Sequence, residues 1–119
     1  MPFYQLPRLH RLMRAELRVT AAGYRAFTAA YLRRRQTAAG TETTVAAQVI
    51  GPFLLTSLLL GRLRDSAPSR VITVSSGGMY ATGLTVSGLE MSPEDYNGTE
   101  QYARAKRAQV TLNEMWAER

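Results

Sequence analysis

A tyrosine and a lysine four residues apart, Tyr102 and Lys106, are the residues of this sequence whose types and spacing best suit chemistry. On a helix such residues lie on one face about a turn apart, so the phenol and the ammonium share a small volume. Tyrosine has a reference pKa of about 10, and a nearby ammonium favours its ionised form. The spacing is therefore typical of a phenol that exchanges a proton. Taken alone, it is equally typical of a solvated lysine beside an unrelated aromatic residue.

Lys106 is the only lysine of the chain, and all other basic side chains are arginines. A lysine carries a compact point charge with rotatable donors, whereas the guanidinium group of arginine spreads its charge over a planar fork. The only lysine of the chain therefore stands where its point charge can favour the ionised form of the Tyr102 phenol.

Two apolar helices and a short strand are predicted around this pair. The first helix covers residues 43–63 and the second runs from residue 98 or 99 to about residue 118. Between them, residues 70–75 (Arg-Val-Ile-Thr-Val-Ser) are rich in β-branched side chains and bounded by turn residues, which predicts a buried strand. The connection 76–99 is long and rich in Gly, Ser and Asp, and such connections after a strand are usually functional.

A helix, a strand and a second helix in this order indicate an α/β fold with a parallel sheet covered by helices. No second strand of similar quality is visible in the sequence. A lone parallel strand leaves its own backbone groups unpaired, so either residues 15–35 contain a partner strand or the partner strands are absent from this polypeptide.

The composition excludes several kinds of chemistry. The chain has no cysteine and a single histidine, His10, so disulfides, thiolate chemistry and the usual zinc or triad sites are not expected, and no metal site is predicted. The longest apolar run, residues 49–60, is shorter than the roughly 18 to 20 residues of a membrane span. A soluble, cytoplasmic protein is the expectation.

The positive charge of the chain is concentrated at one end. Residues 1–40 carry eight arginines and one glutamate, or +7, whereas residues 41–119 carry seven basic and eight acidic groups, or −1. The composition divides the chain into a basic, helical or poorly ordered extension, residues 1–36, and a domain, residues 37–119. A transit peptide, a membrane-surface helix, a nucleic-acid arm and an ordinary surface helix all fit this extension. Without a reading motif, no specific nucleic-acid binding is predicted.

The segment Val71-Ile72-Thr73-Val74-Ser75-Ser76-Gly77-Gly78, followed on a helix by Tyr102-x-x-x-Lys106, resembles the C-terminal half of the short-chain dehydrogenase/reductase family. Residues 49–56 are similar to the family's fourth helix. The separation of 26 residues between Ser76 and Tyr102 resembles the retinol-dehydrogenase-like branch.

The resemblance implies a fold and an activity. The fold is part of a doubly wound, Rossmann-type parallel sheet, and the activity is NAD(P)-dependent interconversion of a small alcohol and a carbonyl compound by hydride transfer. By position, Ser76 matches the serine that binds the substrate carbonyl, and Tyr102 matches the proton donor. Lys106 matches the residue that binds the nicotinamide ribose and assists the tyrosine, so Tyr102 and Lys106 are the expected cofactor-binding residues for NAD or NADP.

The sequence departs from the family at two places. Gln48 stands where the family often has an asparagine that holds a proton-relay water. The glycine-rich phosphate-binding motif is missing, and the arginine-rich residues 1–36 stand in its place. A misread frame, a mistaken start and a real truncation are all compatible with this replacement. Because backbone donors of that motif hold the pyrophosphate, we expect very weak cofactor binding and an inactive isolated chain.

A second interpretation belongs to another functional class. In it, the chain is a non-catalytic helical interaction module with a basic amphipathic N-terminus, and the apolar helix 43–63 pairs with a partner. Exposed apolar helices of this kind also predict a homo-oligomer.

Overall fold

Two helices and a short 3₁₀ helix make up the regular structure of the described residues. The computed structural model describes residues 32–118. Residues 1–31 of the predicted basic extension, His10 among them, lie outside these residues, and residues 32–36 of that extension are not helical. Helix α1 spans Thr43–Asp65, the 3₁₀ helix spans Gly77–Ala81 and helix α2 spans Gly98–Ala117. Both predicted helices are therefore present, with ends within two residues of those expected.

Helix α1 begins at Glu42, whose side chain caps it. The Glu42 carboxylate accepts a hydrogen bond of 2.9 Å from the backbone N–H of Val45, which satisfies one of the orphan donors of the first turn. Before Glu42, the chain folds back on itself through a bridge between Gln36 and Glu42, with Gly40 in the left-handed region at φ 85°. Only glycine adopts that conformation without strain.

A π-helical turn, Ala46–Ile50, precedes the proline of helix α1. Pro52 lacks a backbone N–H and cannot donate to the carbonyl four residues earlier. The ladder adapts because the N–H of Gly51 bonds to the carbonyl of Ala46, five residues back. The irregularity of the helix thus lies one turn before the proline.

The core lies between the first turns of α1 and the middle of α2. It is built from Val45 and Val49 of α1 with Ala105 and Ala108 of α2, and half-buried leucines pack around it. Alanine at the two α2 positions lets the helix backbones approach closely. Ala105 is completely buried, so this position has no room for a larger side chain.

The second half of α1 is largely exposed, although its sequence is mostly apolar. No residue of Gly51–Asp65 is buried, and several of its large apolar side chains are open to solvent: Phe53, Leu54, Leu55 and Leu58. By length and composition, Thr43–Asp65 is also a helix that could cross a membrane, although the longest apolar run had indicated no span. The core helix of a soluble protein, which is mostly buried, passes the same test of length and composition.

The segment predicted as a buried strand is extended but not paired. Residues 70–76 join no sheet, and no β-strand occurs among residues 32–118. Ile72 and Val74 are 82% and 77% exposed, so the expectation of burial was wrong. The physical reason is that a strand is buried by its neighbours, and none is present in the described part of the chain to pair with it.

Candidate functional site

Helix α2 carries two of the three residues that the sequence singled out. Its N-terminus is capped by Asn97, whose side chain accepts a 3.1 Å hydrogen bond from the backbone N–H of Glu100. The acidic Glu100 in the first turn is favourable at the positive end of the helix dipole. It also forms an ion pair with Arg104, one turn later. The sequence therefore fixes the start of the helix just before Tyr102.

Tyr102 and Lys106 lie together, as their spacing predicted. The Nζ atom of Lys106 is 5.6 Å from the centre of the Tyr102 ring, within the range of a cation–π interaction. Tyr102 is half-buried, and Lys106 is 9% exposed. The ammonium is thus held against the aromatic ring, away from bulk water.

The ammonium of Lys106 also bonds to the extended segment. Its Nζ donates to the backbone carbonyl of Val74 at 3.2 Å. Val74 stands two residues before Ser76, so this bond ties the Tyr102–Lys106 face of α2 to the end of the extended segment. An ammonium has three donors, and this bond uses one of them.

Burial sets the acid–base behaviour of Lys106. Desolvation lowers the pKa of the ammonium below its ordinary value of 10.5, because burial disfavours the charged form. A lysine with a lowered pKa, fixed beside a phenol at the end of an extended segment, is the kind of perturbed group that functional sites contain.

We expect the burial of Lys106 to appear as a pH dependence of stability. Between the lowered pKa of the folded chain and 10.5, the unfolded chain binds more protons, so stability rises with pH. The free energy of unfolding of the wild type, relative to that of Lys106→Met, should therefore increase as the pH rises through this window. Urea unfolding of both proteins at several alkaline pH values measures it, and a constant difference would contradict a desolvated ammonium.

Ser76 begins the 3₁₀ helix Gly77–Ala81. Its backbone is extended, and its Oγ accepts a hydrogen bond of 3.3 Å from the N–H of Gly78. The 3₁₀ helix packs against α2, and its Met79 is buried. Ser76 is half-buried, whereas the preceding Ser75 is exposed and donates to the sulfur of Met79. The structure thus distinguishes the two serines and anchors the turn after Ser76 on the helix that carries Tyr102 and Lys106.

Gln48, the residue at the position of the family's relay asparagine, lies in the π-helical turn. Its Oε1 atom accepts a hydrogen bond of 3.1 Å from Nε2 of Gln109, one turn after Lys106 on α2. The Oε1 atom of Gln109 is buried without a hydrogen-bond partner among residues 32–118. The longer amide of Gln48 is therefore engaged with α2.

Two partners of the site were not found from the sequence. The Val74 carbonyl carries no side-chain signal, so only the folded chain reveals its bond to Lys106. Gln109 follows Lys106 by three residues, and that helical spacing could have placed it on the same face. A second bond links the segment to α2, from Thr73 Oγ1 to Asn113 Oδ1 at 2.9 Å.

Curated proteins similar to this chain were found. The human protein named "Dehydrogenase/reductase SDR family member 12" is 41% identical over 86 residues, which cover 72% of this chain and 27% of that protein. Bovine "Retinol dehydrogenase 12" is 39% identical over 84 residues, or 71% of this chain and 26% of that protein. Human "Retinol dehydrogenase 14" is 40% identical over 81 residues, or 67% of this chain and 24% of that protein.

These similarities cover only part of the relatives. The chain spans about a quarter of the length of the curated proteins that it matches. No family model and no solved structure matches the chain. The relatives carry dehydrogenase or reductase names, so they confirm the family resemblance that rests on Ser76, Tyr102 and Lys106 in the sequence.

Proposed function

Because the chain is homologous to members of the short-chain dehydrogenase/reductase family over about 70% of its length, we propose that it carries the catalytic part of an NAD(P)-dependent oxidoreductase site. The observation that carries this proposal is the buried Lys106 ammonium, which lies 5.6 Å from the Tyr102 ring. In this proposal Ser76, Tyr102 and Lys106 act on a small alcohol or its carbonyl counterpart.

Each of these side chains has a distinct chemical role in the proposal. Ser76 and Tyr102 bind the carbonyl oxygen of the substrate, which makes the carbonyl carbon more electrophilic. The hydride for that carbon would come from NADH or NADPH, if bound with its ribose against Lys106 and Tyr102. The phenol of Tyr102 gives its proton to the oxygen as negative charge develops there, and the product is an alcohol. In the oxidation direction Tyr102 takes the proton back.

The described residues fit the nicotinamide end of such a cofactor. The Lys106 ammonium has three donors, of which the Val74 carbonyl takes one, so two are available for ribose hydroxyl groups. Its fixed position beside Tyr102 would hold the ribose close to the phenol. Lys106 and Tyr102 are therefore the residues proposed to hold the cofactor.

The pyrophosphate end of the cofactor has no comparable support in the sequence. The glycine-rich phosphate-binding motif does not occur within the 119 residues. Backbone donors at such a motif normally provide much of the affinity for a dinucleotide. We therefore propose that the 119-residue polypeptide by itself binds the nicotinamide end weakly and has no turnover. A cytoplasmic location is part of the same proposal.

A second candidate function rests on the exposed half of α1. Its apolar side chains, Leu58 above all, are open to solvent over several turns, as in helices that dock into a partner. In this alternative the chain is a non-catalytic interaction module or forms a homo-oligomer through α1, and the Tyr102–Lys106 pair only stabilises α2.

A titration with half of the cofactor separates the two functions. Nicotinamide mononucleotide contains the ribose and the nicotinamide that Lys106 would contact, and it does not need the missing motif. At millimolar concentrations it should shift the ¹⁵N–¹H signals of Ser76, Tyr102 and Lys106 more than adenosine monophosphate does, because the adenine compound has the ribose but not the nicotinamide. The expected affinity is weak, because the ligand gains only a few hydrogen bonds.

Two variants sharpen this titration. Lys106→Met should abolish the response, since it removes the donors for the ribose. Tyr102→Phe should weaken the response only in part, because it removes the hydroxyl group and leaves the Lys106 donors for the ribose in place. If the wild-type signals do not move, or move equally with adenosine monophosphate, the oxidoreductase proposal is wrong and the interaction module becomes the better description.

A further inference from the structure

Four consecutive loop residues, Gly88–Met91, are held against the rest of the chain by side chains from two different regions. We call residues 88–91 the strap. The strap belongs to the long connection between Ser76 and Tyr102, which the sequence predicts to be functional. Its hydrogen bonds make it the most thoroughly fixed part of that connection.

Gln101 holds the strap at two points. Its Oε1 accepts a hydrogen bond of 2.8 Å from the N–H of Met91, and its Nε2 donates 2.7 Å to the carbonyl of Leu89. The side chain is completely buried. A buried amide with both ends bonded to one backbone segment fixes the register of that segment, because any slip leaves polar groups unpaired.

Arg104 holds the strap one helical turn later. Its guanidinium donates to the carbonyl of Gly88 and also pairs with Glu100. A Cβ atom at Gly88 would lie 3.0 Å from Thr85 Oγ1 and 3.4 Å from Arg104 Nη1, so a side chain there would crowd this contact. Gly88 thus allows the close approach of the guanidinium.

The residues before α1 hold the far edge of the strap. The N–H of Glu42 donates to the Glu90 carboxylate at 2.8 Å, and Nε of Arg34 donates to the carbonyl of Met91 at 3.3 Å. All four strap residues are therefore bonded either to α2 or to the segment that leads into α1.

The strap and the Tyr102–Lys106 pair use different faces of α2. Successive residues of a helix point about 100° apart, so Lys106 points about 140° away from Gln101. One face of α2 therefore binds the strap, and a different face holds Lys106 against Val74.

The connection between Ser76 and the strap is consequently anchored at both ends. At one end the 3₁₀ helix Gly77–Ala81 packs on α2. At the other a turn leads into the strap, with hydrogen bonds from Gly88 N–H to Thr85 Oγ1 at 3.1 Å and from Leu89 N–H to the Val86 carbonyl. Residues 82–87 lie between the 3₁₀ helix and the strap, the two anchored ends of the connection.

We propose that Gln101 is a positioning residue that locks the strap onto α2, and that residues 82–87 thereby form a fixed rim between the 3₁₀ helix and the strap. That this rim borders a substrate depends on the proposed function. The locking itself depends only on the hydrogen bonds of Gln101.

Gln101→Met tests the locking, because it keeps the length of the side chain and removes both hydrogen bonds. In the full chain we expect the Met91 amide to exchange its hydrogen about tenfold faster, as for the loss of one buried hydrogen bond. The ¹⁵N order parameters of residues 83–87 should fall, while exchange at Ala105 and Ala108 stays nearly unchanged. Gln109→Met is the matched control, since Gln109 is a buried glutamine on the same helix whose described bond goes to Gln48.

Gln101→Glu provides a rescue that a general loss of stability would not imitate. A protonated carboxyl group reproduces one acceptor and one donor, whereas an ionised carboxylate repels the Leu89 carbonyl. The Met91 amide should therefore be protected at acidic pH and lose protection as the pH rises, with no such change in the wild type. The charged groups around position 101 are those of the strap and its anchors: Arg34, Glu42, Glu90, Glu100 and Arg104.

Each outcome bears on the locking alone. A Met91 amide that stays protected in Gln101→Met, or equal acceleration at every amide of α2, overturns the proposal. Exchange measured without any nucleotide does not depend on cofactor binding. A failed mononucleotide titration beside a successful exchange experiment would therefore remove the proposed function and leave the role of Gln101 standing.

Discussion

Ala105→Asp is expected to unfold the pair of helices. Ala105 is completely buried against Val45 and Val49 of α1, with no space for a larger side chain. An aspartate there places an ionised carboxylate in an apolar contact, where we expect a loss of at least about 3 kcal/mol in the free energy of unfolding. The total free energy of unfolding of a small domain is not much larger than this loss. Far-UV circular dichroism should therefore show loss of most helical signal at neutral pH.

Ala117→Asp is the matched control for this experiment. Ala117 is the last residue of the same helix and is exposed. The same substitution there meets only the unfavourable end of the helix dipole, which costs at most about 1 kcal/mol. Similar urea unfolding of Ala105→Asp and the wild type would show that α1 and α2 do not pack through this alanine.

The helices could be predicted because their signals are local. The long apolar run predicts the length of α1. Pro52 lacks a backbone N–H and therefore predicts a disturbance in the hydrogen bonds of that helix. The start of α2 followed from the turn residues before it, and the structure adds Asn97 as the cap. These features depend on residues within a few positions of each other, so the sequence alone carries them.

The sheet could not be established in the same way. The β-branched run at residues 71–74 favours extended backbone, and the segment is extended. A strand, however, needs neighbours for its backbone groups, and the described residues contain none. The exposed side chains of Ile72 and Val74 show this difference between local preference and sheet formation. The relatives imply a Rossmann-type α/β fold.

Only the part of the candidate site that depends on helical spacing could be predicted from the sequence. A separation of four residues places Tyr102 and Lys106 on one face, and the structure brings them together. The bond from Lys106 to the Val74 carbonyl joins positions 32 residues apart, and no pattern in the sequence encodes it. The roles of Ser76, Tyr102 and Lys106 in catalysis stay predictions.

Glu42→Ala is expected to cause the second large loss of stability. The Glu42 side chain is 1% exposed, caps α1 through the Val45 N–H and accepts a hydrogen bond of 3.3 Å from the Tyr96 hydroxyl. Alanine removes both bonds and leaves the buried N–H of Val45 without its capping oxygen. We expect a decrease of about 2 to 4 kcal/mol in the free energy of unfolding, measured by urea titration at neutral pH.

Glu42→Gln separates the charge of this residue from its hydrogen bonds. Glutamine keeps an acceptor for Val45, so most of the stability should remain. Burial first, and then the charge of Glu42, raise the pKa of Tyr96 above 10.0. The neutral side chain should therefore lower the pKa of Tyr96 towards its ordinary value without reaching it, because the burial persists. Ultraviolet titration of the phenols against Tyr96→Phe identifies this group.

The two Glu42 variants together decide what the buried carboxylate contributes. A raised tyrosine pKa stabilises the folded chain below about 10, and this contribution is lost as the pH rises through the raised value. Wild type should therefore lose more stability at strongly alkaline pH than Glu42→Gln does. If Glu42→Ala and Glu42→Gln are equally destabilised at neutral pH, the charge itself stabilises the start of α1, and the capping bond to Val45 does not explain why this glutamate is buried.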